Sequence, residues 1–292
     1  MARVVGIGHQ DFAELVISGC FYVDKSDFIR EWWENQDVVT LITRPRRFGK
    51  TLNMSMLERF FSIEYQGQGR LFENLSIWND KKYRDLQGTY PVIALSFADV
   101  KEVSFPDARK KICQIIKMTF DKYRFLLEGD ILSESEKEDF SNISADMENS
   151  TASLSLKMLS LYLSKYYGKK VLIFLDEYDT PLQEAYINGY WNELTFFIRS
   201  LFNSTFKTNP YLFRAVMTGI TRISKESIFS DLNHLEVVTT TSEKYVDSFG
   251  FTELEVWEAL KEFDLYSTHQ KVKDWYDGFI VLYQLPFGIV QS

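Results

Sequence analysis

Val38-Val39-Thr40-Leu41-Ile42-Thr43-Arg44-Pro45-Arg46-Arg47-Phe48-Gly49-Lys50-Thr51 is the stretch that decides the fold. Its first six residues are apolar and β-branched without alternation, which predicts a strand covered on both faces. Pro45 and Gly49 interrupt the run and predict a turn. Leu52, Met56, Leu57, Phe60 and Phe61 then recur at helical spacing, so a helix is expected from Thr51 to about Ser62.

The turn carries chemistry. Gly49-Lys50-Thr51 matches the second half of the phosphate-loop pattern G-x-x-x-x-G-K-[ST], and Arg44 stands where the first Gly would be. Gly49 lets backbone N–H groups close around phosphate oxygens. Lys50 is placed to reach the β- and γ-phosphates, and the Thr51 hydroxyl to ligate Mg²⁺ at the start of a helix, whose partial positive charge favours anions. The nucleotide-binding residues are therefore expected to be Arg44, Pro45, Arg46, Arg47, Phe48, Gly49, Lys50, Thr51 and Leu52. Arg46 and Arg47 suit either triphosphate neutralisation, a partner's acidic face or a solvated basic turn.

Outward from this stretch, strands and helices alternate. Buried strands are predicted at Pro91 to Phe97, Val171 to Leu175 and Tyr211 to Thr218, with a weaker one at Leu235 to Thr240. Helices are predicted at Phe105 to Leu127, Thr151 to Tyr167 and Tyr190 to Phe206, the second presenting Leu154, Met158, Leu161 and Leu163. Residues 129–150, acidic and rich in Ser and Asn, read as a surface loop or linker. In the N-terminal segment, residues 1–37, a helix is expected from Asp27 to Trp33. The expected fold is α/β: a parallel sheet of about five strands flanked by helices, in residues 1–242, then a small helical lid in 243–279 and an atypical tail in 280–292.

Val171-Leu172-Ile173-Phe174-Leu175-Asp176-Glu177 ends an apolar strand in two carboxylates. Adjacent acids at such a position are costly without a compensating cation. Asp176 is read as the Mg²⁺ carboxylate, through the ion's water shell, and Glu177 as the group that orients and deprotonates an attacking water. The alternative, that an acid caps the next helix, is served better by Asp179 or Thr180. Glu177 beside Asp176, with no convincing Asn-Lys-x-Asp motif, favours ATP over GTP. After strand four, Thr218 is the candidate γ-phosphate sensor. Arg222 is either a sensor, an arginine finger or a surface residue. Tyr22, Asp24 and Lys25 are read as ordinary packing and a surface ion pair, with an adenine contact as the alternative.

Composition narrows the remaining classes. The chain has 292 residues, 45% hydrophobic and 25% charged, enough for a sizeable core without metals or disulfides. A net charge of -8 argues against a surface coating nucleic acid. Two Cys far apart and three His offer no zinc spacing. The N-terminus has no signal-peptide pattern and no run is long enough to span a bilayer, so a cytoplasmic setting and no membrane partner are expected.

Together, Phe21-Tyr22-Val23-Asp24-Lys25, the Thr43 to Thr51 loop, Leu175-Asp176-Glu177-Tyr178-Asp179-Thr180-Pro181-Leu182, Thr218-Gly219-Ile220-Thr221-Arg222 and Trp275-Tyr276-Asp277-Gly278-Phe279 resemble the bacterial AAA-ATPase-like family over about residues 6–279. The resemblance implies an AAA-like P-loop NTPase domain. It also implies that Arg44 in place of Gly is the family's own pattern. Full-length members usually carry a C-terminal domain like a PD-(D/E)xK nuclease. Residues 280–292 do not read like that continuation, so the chain is expected to be a truncated member. The expected activity is Mg²⁺-dependent ATP hydrolysis coupled to an unidentified protein partner, with assembly into an oligomer open. The alternative is a non-hydrolysing ATP-dependent switch that recruits protein or nucleic acid.

Overall fold

The computed structural model describes residues 3–220, 228–229, 232 and 234–276. The chain opens with α1 (Phe12–Ile17) and α2 (Asp27–Asn35) and enters the sheet through β1 (Val39–Thr43). Then follow α3 (Lys50–Phe61), α4 (Lys81–Leu86), β2 (Val92–Ser96), α5 (Phe105–Asp121), α6 (Glu134–Ser141) and α7 (Asn149–Tyr167). The acidic strand is β3 (Val171–Asp176), followed by α8 (Thr180–Asn188) and α9 (Trp191–Phe202). Strands β4 (Leu212–Gly219) and β5 (Leu235–Val238) complete the sheet, and α10 (Glu253–Glu262) and α11 (His269–Tyr276) follow it.

The five strands are all parallel, in the order β2-β3-β4-β1-β5. Parallel pairing demands crossovers that cover both faces, and the side chains divide accordingly. Val171, Ile173 and Leu175 of β3 join Ala215 and Met217 in one core with α5, α7, α8 and α9. Their neighbours Leu172 and Phe174 join Val216 and Ile42 in a second core, against α1, α2 and α3. Period-2 alternation splits each strand between the two. Burying each such side chain contributes roughly 1.5–3 kcal/mol relative to exposure.

Residues 129–150 are not the surface loop that composition predicts. Ser133 and Glu136 form a reciprocal capping box at the start of α6. Phe140, Ile143 and Met147 are buried, and the Phe140 ring meets Phe120 edge-on at 5.0 Å. The acidic residues form the solvated side of this segment, and Leu132, Phe140, Ile143 and Met147 supply its inner side. Of the face expected for α7, Leu163 is buried and Met158 and Leu161 pack partly buried against the core, while Leu154 is exposed; Ala152, Leu156 and Leu159 complete the buried side. The long helix from Phe105 ends at Asp121 and gives way to a 3-10 turn at Arg124–Leu127. The helix that starts at Trp191 widens into a π turn over Asn203–Lys207.

What matters for the site is the order of strand ends. β4 lies between β1 and β3, with Thr43 beside Gly219 and Leu175 beside Met217. The carboxyl ends of three adjacent strands thus present the 44–49 turn, Thr218-Gly219 and Asp176-Glu177 at one edge. Open parallel sheets bind ligands at that edge.

Candidate functional site

The 44–49 turn leaves the sheet at Arg44, whose N–H donates to the Gly219 carbonyl at 3.1 Å. The left-handed backbone occurs at Arg47 (φ 68°) and Gly49 (φ 75°), while Arg44 is not among the positive-φ residues. The Arg at the expected glycine position therefore needs no left-handed backbone. Gly49 occupies the N-cap of α3 without a side-chain cap, and the Asn53 N–H closes the first turn on its carbonyl at 2.9 Å. This is a helix N-terminus with its amide groups and dipole directed at the turn.

Lys50 is buried and donates from Nζ to the carbonyls of Arg44 (3.0 Å) and Pro45 (2.9 Å). Burial lowers its pKa, against the opposing influence of Asp176, Glu177 and Asp179. The ammonium bridges the beginning of the loop to the helix behind it.

Asp176 receives two hydroxyls. Thr51 donates to Oδ2 at 2.7 Å, and Thr218 donates to Oδ1. Thr218 also accepts the Glu177 N–H at 3.4 Å. One buried threonine on β4 thus orders both acids of β3. Glu177 has a φ of 50°, a left-handed conformation that costs a non-glycine residue about 1–2 kcal/mol. Its carboxylate Oε2 accepts from the Thr180 hydroxyl at 3.1 Å.

Asp179 sits at the N-cap position of α8, yet it makes no side-chain bond to that helix's first-turn amides. Its Oδ2 accepts from the Ile220 N–H at 3.0 Å and from Gln183 Nε2 at 2.9 Å. Gly219 fits between: a Cβ there would lie 2.6 Å from the Tyr178 ring and 2.7 Å from Asp179 Oδ1. Asp179 ties the end of β4 to the start of α8.

The other sequence-predicted residues take different places. Arg44 turns its side chain away from the helix N-terminus and buries it against the carbonyls of Thr43, Val238, Lys244 and Tyr245. Desolvation pushes its guanidinium pKa down to about 10. Arg46 and Arg47 are exposed. Phe48 and Leu52 pack partly buried against the second core. Arg222 lies outside the described residues. Tyr22 is packed, with its hydroxyl 3.5 Å from the Met56 sulfur. Lys25 and Asp24 do not form the expected surface pair. Lys25 is buried on Glu255 at 2.7 Å and the Asp247 carbonyl at 2.6 Å, while Asp24 accepts the N–H groups of Ser26 and Ser76.

Asn53 was not singled out by motif, though it sits three residues after Lys50 on the same helix. Its amide donates to the Ser248 carbonyl at 2.7 Å.

Among the described residues no cluster of three His, Cys, Asp or Glu side chains is placed to hold a metal. Thr51 and Asp176 offer one hydroxyl and one carboxylate. This sparse, all-oxygen set fits Mg²⁺, which keeps several waters and takes the rest of its octahedron from phosphate.

A family model described as predicted AAA-ATPase matches residues 6–229. The chain belongs to this predicted AAA-ATPase family. It is also similar to a curated protein from Azotobacter chroococcum mcd 1 named "Uncharacterized protein in vnfD 5'region", with 25% identity over 276 residues. The match covers 94% of this chain and 48% of that protein, so the chain spans about half its relative's length. No solved structure matches. Membership in the AAA-ATPase family agrees with the parallel sheet and supports nucleotide binding. No helix among the described residues is long and apolar enough to cross a membrane.

Proposed function

We propose that this chain binds ATP with Mg²⁺ at the carboxyl edge of β1, β4 and β3 and hydrolyses its γ-phosphate. The observation that carries the reading is the convergence of the Thr51 and Thr218 hydroxyls on Asp176, beside a Glu177 held in left-handed backbone. The 44–49 turn and the amides of the first turn of α3 wrap the phosphates, and Lys50 exchanges its loop carbonyls for phosphate oxygens. Mg²⁺, held by Thr51 and Asp176, would supply neutralisation of the triphosphate charge.

Thr218 acts in this scheme by holding Asp176 and the Glu177 backbone, rather than by direct phosphate contact. Glu177 orients a water and accepts its proton as the oxygen attacks the γ-phosphorus and ADP departs. Thr180 restrains the Glu177 carboxylate until then. Residues 243–279 serve as the lid, of which 277–279 lie outside the described residues.

A second reading is an ATP-dependent switch with negligible turnover. It is favoured by the bond between the Glu177 carboxylate and the Thr180 hydroxyl, which occupies the base.

The test is phosphate release by the purified chain with Mg²⁺, beside Lys50→Ala and Glu177→Gln. Lys50→Ala is expected to lose about 1.5–3 kcal/mol of nucleotide affinity, as for a charged hydrogen bond. Glu177→Gln is expected to bind ATP and turn over roughly 10²–10⁴-fold slower. Full turnover in both variants would sink the hydrolytic assignment. Binding without turnover in the unmodified chain would select the switch.

A further inference from the structure

The Arg44 side chain is the one feature of the loop that nucleotide chemistry leaves unexplained. It is 1% exposed, and its guanidinium donates to no carboxylate among the described residues. Its acceptors are main-chain carbonyls. Nη1 reaches Thr43 and Val238 at 3.1 and 3.4 Å, and Nη2 reaches Lys244 and Tyr245 at 3.5 and 3.4 Å. The group also lies 5.6 Å from the centre of the Phe249 ring. A planar fork holds its donors at fixed spacing across separate acceptors, which the compact ammonium of a lysine does not.

Two further contacts join the same two segments. The Gly250 N–H donates to the Phe48 carbonyl at 3.1 Å, with the Phe48 ring lying against Gly250. Asn53 donates to the Ser248 carbonyl. The 44–53 segment thus grips residues 238–250 at its beginning, its middle and its first helical turn. On either side of Gly250, Lys25 binds the Asp247 carbonyl and the Glu255 carboxylate, and Glu255 belongs to the capping box of α10. On the far side Glu31 accepts the Tyr245 N–H at 2.7 Å, and its charge opposes the desolvation of Arg44.

We propose that Arg44 is a positioning residue that makes the phosphate loop and the 238–255 segment one responsive unit, so that nucleotide at the loop tightens the start of α10. This rests on the nucleotide reading of the loop. The physical reason is shared geometry. Phosphate contact requires a fixed backbone from Arg44 to Asn53, and the same atoms hold 238–250. Ordering one segment therefore lowers the cost of ordering the other, and the linkage is reciprocal.

The experiment is hydrogen exchange on the full chain, with and without Mg²⁺ and the β,γ-imido analogue of ATP. The proteins are the unmodified chain, Arg44→Lys and Asn53→Ala, each at saturating analogue. The unmodified chain is expected to gain protection in both 44–53 and 238–255. In both variants the analogue should still protect 44–53, while the analogue-dependent gain in 238–255 falls by roughly fivefold or more, the usual range of a coupling between sites. A merely structural role would weaken protection equally with and without analogue and leave that gain intact, which would overturn the proposal. Protection confined to 44–53 in the unmodified chain would overturn it too. No protection at 44–53 would instead mark failure of the nucleotide reading, and the coupling falls with it. Asn53→Ala removes a single side-chain bond from the opposite end of the grip, so the test stands if Arg44→Lys does not fold.

Discussion

The Thr51 hydroxyl donates to Asp176 at 2.7 Å across 125 residues of sequence. Thr51 lies in the first turn of α3 after β1, Asp176 ends β3, and β4 separates the two strands. The bond passes over the end of β4, where Thr218 donates to the other oxygen of the same carboxylate. Asp176→Asn is expected to abolish Mg²⁺-dependent turnover. Thr218→Val keeps the side chain's shape but loses its hydroxyl. It should raise the Mg²⁺ concentration for half-maximal turnover about 10–100-fold, the usual effect of deleting a group that supports a metal ligand. Thr218→Ser should restore most of it, and titration of turnover against Mg²⁺ checks all three. An unchanged Mg²⁺ dependence in Thr218→Val would refute the supporting role.

Gly219→Ala places a Cβ within 2.7 Å of both Tyr178 and Asp179. Neither is the end of a flexible surface chain, so the strand end must shift. A loss of about 1–3 kcal/mol is expected from overpacking. Because the same strand end carries Thr218, turnover per folded molecule should also fall. Urea unfolding and steady-state kinetics separate the two effects.

Trp32 is fully buried between Phe61 and Phe174, at ring separations of 5.4 and 5.8 Å, with the Arg214 guanidinium 4.5 Å from its ring centre. Trp32→Ala should cost roughly 3–5 kcal/mol of stability. It also leaves Arg214 buried with one face uncovered. A change in urea midpoint within error of the unmodified chain would contradict this packing.

Burial holds the Glu58 carboxyl above its ordinary pKa, with Glu64 adding to the effect and Lys122 opposing it. The sign follows from linkage. Below the unfolded-state value both states are protonated and the group costs nothing. As pH rises from the unfolded-state value to the raised folded-state value, the unfolded chain ionises first and stability falls, the loss being complete above the folded-state value. Glu58→Gln removes that dependence, so it should melt higher than the unmodified chain at neutral pH. The difference should close in acid, below the ordinary carboxylate range. Melting curves across that window check it.

The sequence by itself determined the order of the strands and of the longer helices, the parallel sheet and the residue types offered for nucleotide chemistry. Continuous apolar runs such as Val171 to Leu175 mark strands covered on both faces, and Gly49-Lys50-Thr51 lies on a strand–turn–helix unit. These are local properties, set by periodicity and turn chemistry. Only the tertiary structure decided that β4 lies between β1 and β3, and so that Thr218 meets Asp176. Tertiary packing alone turned Arg44 into the carbonyls of Val238, Lys244 and Tyr245, and folded residues 134–141 into a helix under Phe120. Such placements depend on contacts between residues far apart in the chain. A single sequence records those residues' chemistry without recording which of them are neighbours.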